Sequence, residues 1–139
     1  MIQVRRGTPA DVRAVCALER AVFSDPWGEA AVAAHTESAH LCLLVAEREG
    51  EFVGYLIGSV IPPEGEIFRV ATLPRARRLG VGRALCQSFL SLSDATYLEV
   101  RVSNAPARAL YEKLGFSLVG ERKNYYKNPT EDACLYRRD

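Results

Sequence analysis

Residues 70–85 run from an apolar stretch into Arg77-Arg78-Leu79-Gly80-Val81-Gly82-Arg83, a basic, glycine-containing turn placed where a strand gives way to a helix. The first amides of a helix have no internal partner and carry partial positive charge, so they take phosphate oxygens, and glycine lets a ligand come close to the backbone. Arg77, Arg78 and Arg83 add charge around such a group, so the spacing points to the holding of a pyrophosphate. Two rival phosphate motifs fail on inspection. A P-loop needs Gly-Lys-Ser/Thr at the helix start, but Val81-Gly82-Arg83 follows Gly80. A dinucleotide fingerprint wants a third small residue where Leu85 stands. On spacing alone, a pair of glycines that merely caps a helix beside a solvated arginine run stays open.

Other chemistries find less support. His35 and His40 have no spacing tie to any cysteine, so a thiol nucleophile with a histidine base is not indicated. Cys16, Cys42, Cys86 and Cys134 contain no Cys-x-x-Cys pair, which excludes a zinc knot and a disulfide framework and reads as buried thiols in a reducing compartment. No metal is expected.

The elements that must position this turn follow from patterning. Residues 2–5 alternate as a first strand. Thr8-Pro9-Ala10-Asp11 starts a helix, with Thr8 as N-cap, Pro9 at the first helical position and Asp11 in the first turn. Val12, Val15, Cys16 and Val22 then give it an inward face. Asp25-Pro26-Trp27-Gly28 breaks it, and a short helix over 29–35 follows. Residues 41–47 and 52–61 are strands joined by a Glu49-Gly50 hairpin turn, the second ended by Pro62-Pro63. Residues 67–72 form a further strand, 80–92 a helix with Val81, Leu85 and Phe89 on one face, 96–102 a strand, and 106–114 a helix closed by Gly115. Strands at 116–120 and 133–136 complete the order.

With 139 residues, 48% hydrophobic and 25% charged, one soluble domain over residues 1–139 with a single core is expected. The longest aliphatic run, residues 41–46, is too short to span a bilayer, so no membrane partner is expected. The first residues lack the apolar stretch of a secretion signal, which places the protein in the cytoplasm. A net charge of +1 argues against direct nucleic-acid binding as the main activity.

Arg77-x-x-Gly80-x-Gly82, after a strand ending near Thr72, resembles the acetyl-coenzyme A signature of the GNAT superfamily of N-acetyltransferases. Residues 98–116 resemble the second half of that fold, and more narrowly the ribosomal-protein alanine N-acetyltransferases, the RimI-like branch. Phe23-Ser24-Asp25-Pro26-Trp27, Arg122-Lys123-Asn124-Tyr125-Tyr126 and Glu131-Asp132-Ala133 extend the likeness over almost the whole chain. The resemblance implies an α/β (α+β) GNAT fold. This would be a mixed, mostly antiparallel sheet of about seven strands flanked by about four helices, splayed so that the coenzyme arm lies between the central strands.

It further implies acetyl-coenzyme A as co-substrate, with Val70, Ala71 and Thr72 along its arm, Arg77, Arg78, Leu79, Gly80, Val81, Gly82 and Arg83 at its phosphates, and Asn104 as a further contact. Glu99 becomes the general base and Tyr111 the general acid; Trp27, Tyr125 and Tyr126 line the groove of the acceptor, an N-terminal amine of a small-subunit ribosomal protein. Alternation from Tyr97 independently puts Glu99 on the polar strand face, where a surface pair with Arg101 is the plain alternative. For Tyr111 the plain alternative is packing on Leu114 and Phe116. Two features depart from the branch: residues 82–99 are several residues short, and Arg69 stands where a smaller polar residue is common. A small-molecule amine acetyltransferase, a coenzyme-binding module without turnover, and an RNA binder using Arg75, Arg77 and Arg78 remain as alternatives at this stage.

Overall fold

A computed structural model describes every residue, 1–139. The chain forms β1 (Ile2–Arg6), a 3-10 turn (Pro9–Asp11) leading into α1 (Val12–Val22), α2 (Glu29–Ala34), β2 (Leu41–Arg48), β3 (Glu51–Ile61), β4 (Glu64–Thr72), α3 (Val81–Leu90), β5 (Ala95–Arg101), α4 (Ala105–Lys113), β6 (Ser117–Tyr126) and β7 (Glu131–Arg138). This is the α+β order that the patterning predicts. At the first helix start the Asp11 carboxylate accepts the Thr8 N–H at 2.8 Å and is gripped by the Arg5 guanidinium at 2.8 Å, which ties β1 to α1.

All strands join one sheet in the order β1-β2-β3-β4-β5-β7-β6. Every neighbouring pair is antiparallel except β4 and β5. Helices cover both faces. On one, Val15, Cys16 and Leu18 of α1 and Val32 of α2 pack on Leu43, Val45, Tyr55 and Ile57. On the other, Val81, Leu85, Cys86 and Phe89 of α3 and Tyr111 of α4 pack on Cys42, Leu44, Leu56, Ile67 and Leu98. β2 is therefore buried on both sides, which is why its sequence reads as a continuous apolar run rather than an alternation. Full burial of a side chain such as Leu85 or Phe89 contributes roughly 1.5–3 kcal/mol. All four cysteines are free and buried, as expected of core thiols.

Most boundaries shift by a residue or two, β7 for instance running over Glu131–Arg138 rather than 133–136, and three differences bear on the site. β4 starts at Glu64 rather than residue 67, because Pro62-Pro63 is itself a two-residue hairpin that leaves Ile61 opposite Glu64. β6 runs to Tyr126 rather than stopping at 120; it is an exposed edge strand whose Glu121-Arg122-Lys123-Asn124 stretch offers no apolar alternation to read. α3 ends at Leu90, and only residues 91–94 link it to β5, so the shortened segment is a trimmed helix and a tight connection.

The feature that matters for function is where β4 and β5 stop pairing. Their ladder runs only from Glu64↔Ala95 to Ile67↔Leu98, yet β4 continues to Thr72 and β5 to Arg101. A bulge in β4 against β3 between Ile57 and Gly58 coincides with the parting. At Gly58 an added Cβ would stand 2.5 Å from the Glu66 carbonyl oxygen and 2.9 Å from the Phe89 ring. Gly58→Ala is therefore expected to cost about 1–3 kcal/mol by overpacking, read as a lower midpoint in urea unfolding; an unshifted midpoint would show that the bulge does not fix this approach.

Candidate active site

Between the parted halves of β4 and β5 lies a cleft of about 840 Å³. It is lined by Val70 of β4, Glu99 and Val100 of β5, Tyr111 of α4, Trp27 of the α1–α2 loop and Tyr125 of β6. The structure thus brings together Glu99, Tyr111, Trp27, Tyr125, Tyr126, Val70 and Asn104 from six separate stretches of chain.

The alternation drawn along β5 holds: Leu98 and Val100 are buried, and Glu99 faces the cleft with its side chain 17% exposed. The Glu99–Arg101 pair does not form. Arg101 instead reaches Glu131 at 3.2 Å and donates to the Lys127 and Pro129 carbonyls at 2.8 and 2.9 Å. The nearest cation to Glu99 is the Arg122 Nε at 3.5 Å, and Glu99 Oε2 is buried with no hydrogen-bond partner. A buried carboxylate oxygen without a donor costs free energy, and such atoms concentrate where a ligand group supplies the missing proton.

Tyr111 combines the two readings offered for it. Its ring packs edge-on against Phe116 at 5.7 Å, while the residue also lines the cleft. Burial, with smaller contributions from Cys86 and Tyr126, pushes its phenol well above the ordinary tyrosine range, so at neutral pH it holds its proton and can donate it. Burial and then the Glu99 charge push the Tyr126 phenol up to about 12 and shift Tyr125 in the same direction. These two rings meet edge to face at 5.0 Å, and Arg122 lies over Tyr125 at 5.4 Å, so the wall that carries them is tied to the base of the cleft.

The basic turn is built as a cradle. Gly80, the residue before α3, adopts φ +82, a left-handed conformation that an L side chain rarely takes, and the space where its Cβ would project is empty. No side chain caps α3, and the first backbone bond into the helix is the Ala84 N–H to the Gly80 carbonyl, which leaves the N–H groups of Val81, Gly82 and Arg83 free. Arg77, Arg78, Leu79 and Arg83 are exposed around them, and Arg78 also has a positive φ of 67. Arg75, by contrast, pairs with Glu51 at 3.5 Å. Val81 and Ala71 turn their side chains into the two cores, so they have only backbone groups to offer, while Val70 and Thr72 are half-buried. Asn104 spends its Oδ1 on capping α4, accepting from the Ala107 N–H at 3.3 Å, and its amide nitrogen is left for another partner. No group of three or more His, Cys, Asp or Glu is placed to hold a metal ion, and no helix is long and apolar enough to cross a membrane.

Residues 12–116 match the model of the acetyltransferase (GNAT) family. The chain belongs to the GNAT acetyltransferase family. It is 36% identical over 140 residues to the N-alpha-acetyltransferase RimI of Mycobacterium tuberculosis, an overlap of 95% of this chain and 89% of that one. It is 38% identical over 140 residues to an uncharacterized protein of Mycobacterium leprae, of whose length it spans 39%. The crystal structure of the ribosomal-protein-S18-alanine N-acetyltransferase from Escherichia coli superposes with a TM-score of 0.88 at 30% identity, covering 99% of this GNAT chain and 92% of that one.

Four groups in or beside the site escape the sequence patterning. Glu66 lines the cleft across from Glu99, but it falls before the strand boundary expected from apolar content. Arg101 and Arg122 are strand residues whose partners lie on other elements. Glu19 sits on the apolar face of α1, seven residues from Val12 and three from Cys16, and is fully buried; a carboxylate at that helical spacing is the signal that could have found it.

Burial, and then the charge of Glu99, raise the Glu66 carboxyl above its usual value of 4.5. A carboxyl raised by folding stabilises the fold only while protonated, so that contribution is present below the ordinary value and is lost as pH rises through the raised one. Glu66→Gln, neutral at every pH, should therefore melt above wild type near pH 7 and converge with it near pH 4. Melting curves across that range check this, and a constant difference would show that Glu66 carries no unfavourable charge.

Proposed function

We propose that this chain, acting as one domain over residues 1–139, is an acetyl-coenzyme A-dependent protein N-terminal acetyltransferase. Its acceptor is the N-terminal alanine of a small-subunit ribosomal protein, and its place is the cytoplasm, where that acceptor is made. The observation that carries the reading is the Glu99 carboxylate, half-buried in the cleft at the parted strands, whose Oε2 is buried without a hydrogen bond and has only the Arg122 Nε near it, at 3.5 Å. Names borne by relatives at 30–36% identity over nearly full length supply the acceptor class.

The coenzyme supplies an acetyl thioester on a long arm with a pyrophosphate at its far end. The free amides of Val81, Gly82 and Arg83, with Arg77 and Arg78 beside them, bind the pyrophosphate. Leu79 and Gly80 shape the bend, and the β4 backbone at Val70, Ala71 and Thr72, unpaired on its β5 side, takes the arm. Asn104 adds a contact from the start of α4.

An α-amine has an ordinary pKa of about 7.7–8.0, so a carboxylate acting directly or through one water suffices to remove its proton. Glu99 does this, and the freed amine attacks the thioester carbonyl. The nitrogen, cationic once bonded to the carbonyl carbon, releases its surplus proton to solvent; as the tetrahedral intermediate collapses, the C–S bond breaks and the departing thiolate takes the Tyr111 phenolic proton. The base and the acid are then restored by exchange with solvent. A backbone amide of the Val70 strand donates to the oxyanion. Trp27, Tyr125 and Tyr126 form the walls along which an extended N-terminus enters.

Glu99→Gln is expected to keep coenzyme binding by calorimetry and to lose about 10²–10⁴-fold in kcat near pH 7; a wild-type rate would discard Glu99 as base. Tyr111→Phe keeps the ring and its packing, so it should fold normally and turn over more slowly, and an unaltered kcat removes Tyr111 from the mechanism. The acceptor is tested by mass spectrometry of S18 N-terminal peptides after incubation with acetyl-coenzyme A, where modification of the alanine amine is the expected product and an unmodified peptide refutes it.

A further inference from the structure

One wall of the cleft is a loop with no secondary structure of its own. Residues 23–28 join α1 to α2 and contribute Phe23, Asp25 and Trp27 to the site. What holds this loop lies behind it. Glu19 of α1 is fully buried and accepts the Trp27 backbone N–H at 2.8 Å through one oxygen, while its other oxygen accepts the hydroxyl of Tyr55, itself buried on β3. Arg69 of β4 brings Nε to 3.6 Å from Glu19, donates from Nη2 to the Asp25 carbonyl at 2.6 Å, reaches the Asp25 carboxylate at 3.2 Å, and lays its guanidinium over the Phe23 ring at 4.0 Å. Three faces of one planar cation therefore grip three parts of the loop and its anchor. The cation stands on β4 one residue before Val70, on the strand that runs along the proposed coenzyme arm.

We propose that Arg69 is a positioning residue for the acceptor: through Glu19 and Asp25 it fixes the 23–28 loop, and with it Trp27, at the distance from Tyr125 that an N-terminal peptide requires. The inference rests on the N-terminal acetyltransferase reading and deepens it. Arg69 also lines the cleft, but its partners lie in the loop and its anchor, not in the basic turn or at Glu99. Charge and geometry separate cleanly here. A lysine keeps a cation beside the buried Glu19 carboxylate and spares it an unpaired charge, but it has no fork to reach Nε and Nη2 contacts together and no plane to stack on Phe23.

The test compares wild type with Arg69→Lys and Arg69→Gln in two measurements. Steady-state kinetics on an alanine-starting S18 peptide should show the peptide KM raised about tenfold in Arg69→Lys, the loss of one charge-assisted hydrogen bond, with the acetyl-coenzyme A KM and kcat within about twofold of wild type and the melting temperature retained. A peptide KM that does not move, or two KM values that rise together, overturns the proposal, and Arg69→Lys decides the matter if Arg69→Gln fails to fold. Trp27 is the sole tryptophan, so acrylamide quenching of its fluorescence reports the loop without any turnover. Quenching should rise in both variants, and quenching equal to wild type also overturns the proposal. If wild type modifies no peptide at all, the functional reading fails by itself, and the Trp27 comparison still decides whether Arg69 holds the loop.

Discussion

Past Ile67 and Leu98 the two central strands part, and a sheet interior loses the hydrogen bonds that the next residues of β4 and β5 would have made to each other. Backbone groups in such a place require partners. The parting therefore creates a slot whose walls are already lined with donors and acceptors at the spacing of a strand. An extended, amide-bearing chain is the ligand shape that satisfies them. The helices reinforce this: α3 begins just beyond the end of β4, so its unbonded N–H groups lie at one mouth of the slot, and α4 begins just beyond the end of β5. The opening that Glu99 faces is thus a consequence of one break in pairing.

Negative charge accumulates at the floor of the slot. Glu66 comes from β4 and Glu99 from β5, and the charge of Glu99 adds to burial in disfavouring ionisation of Glu66. Burial raises the phenols of Tyr111, Tyr125 and Tyr126, the Glu99 charge adds to the rise in Tyr125 and Tyr126, and all three remain protonated at neutral pH. A site with carboxylates as acceptors and phenols as donors suits the uptake of a proton from an ammonium group and the delivery of one to a thiolate. It also attracts the positive end of a peptide. At the basic turn the sign reverses, with Arg77, Arg78 and Arg83 exposed and free of carboxylate partners.

The element order was legible from apolar periodicity because both sheet faces are covered and each helix has one buried stripe; Leu41–Arg48 and Val81–Leu90 are the plainest cases. The basic turn and the glycine that opens α3 were legible because their residues are contiguous. Alternation placed Glu99 on the polar face of its strand, but only the family resemblance joined it to Tyr111, because their sharing of one cleft depends on how β5 diverges from β4, which leaves no local pattern. Glu66 was lost at a strand edge disguised by two prolines. Arg69 stood out only as an oddity, since its partners are 44 and 50 positions away in the chain, and buried ion pairs of that range have no signature in composition or spacing.

The grip of Arg101 on the Lys127 and Pro129 carbonyls has a consequence for how such a scaffold diversifies. It fastens the β6–β7 hairpin through main-chain oxygens, so the side chains at the hairpin tip are free to vary without loosening it. Arg101 is also only two residues from Glu99 on the same rigid strand. Acceptor preference can therefore drift along one rim of the cleft while the reacting centre stays in register, which is what one frame requires if its descendants are to serve many different N-termini.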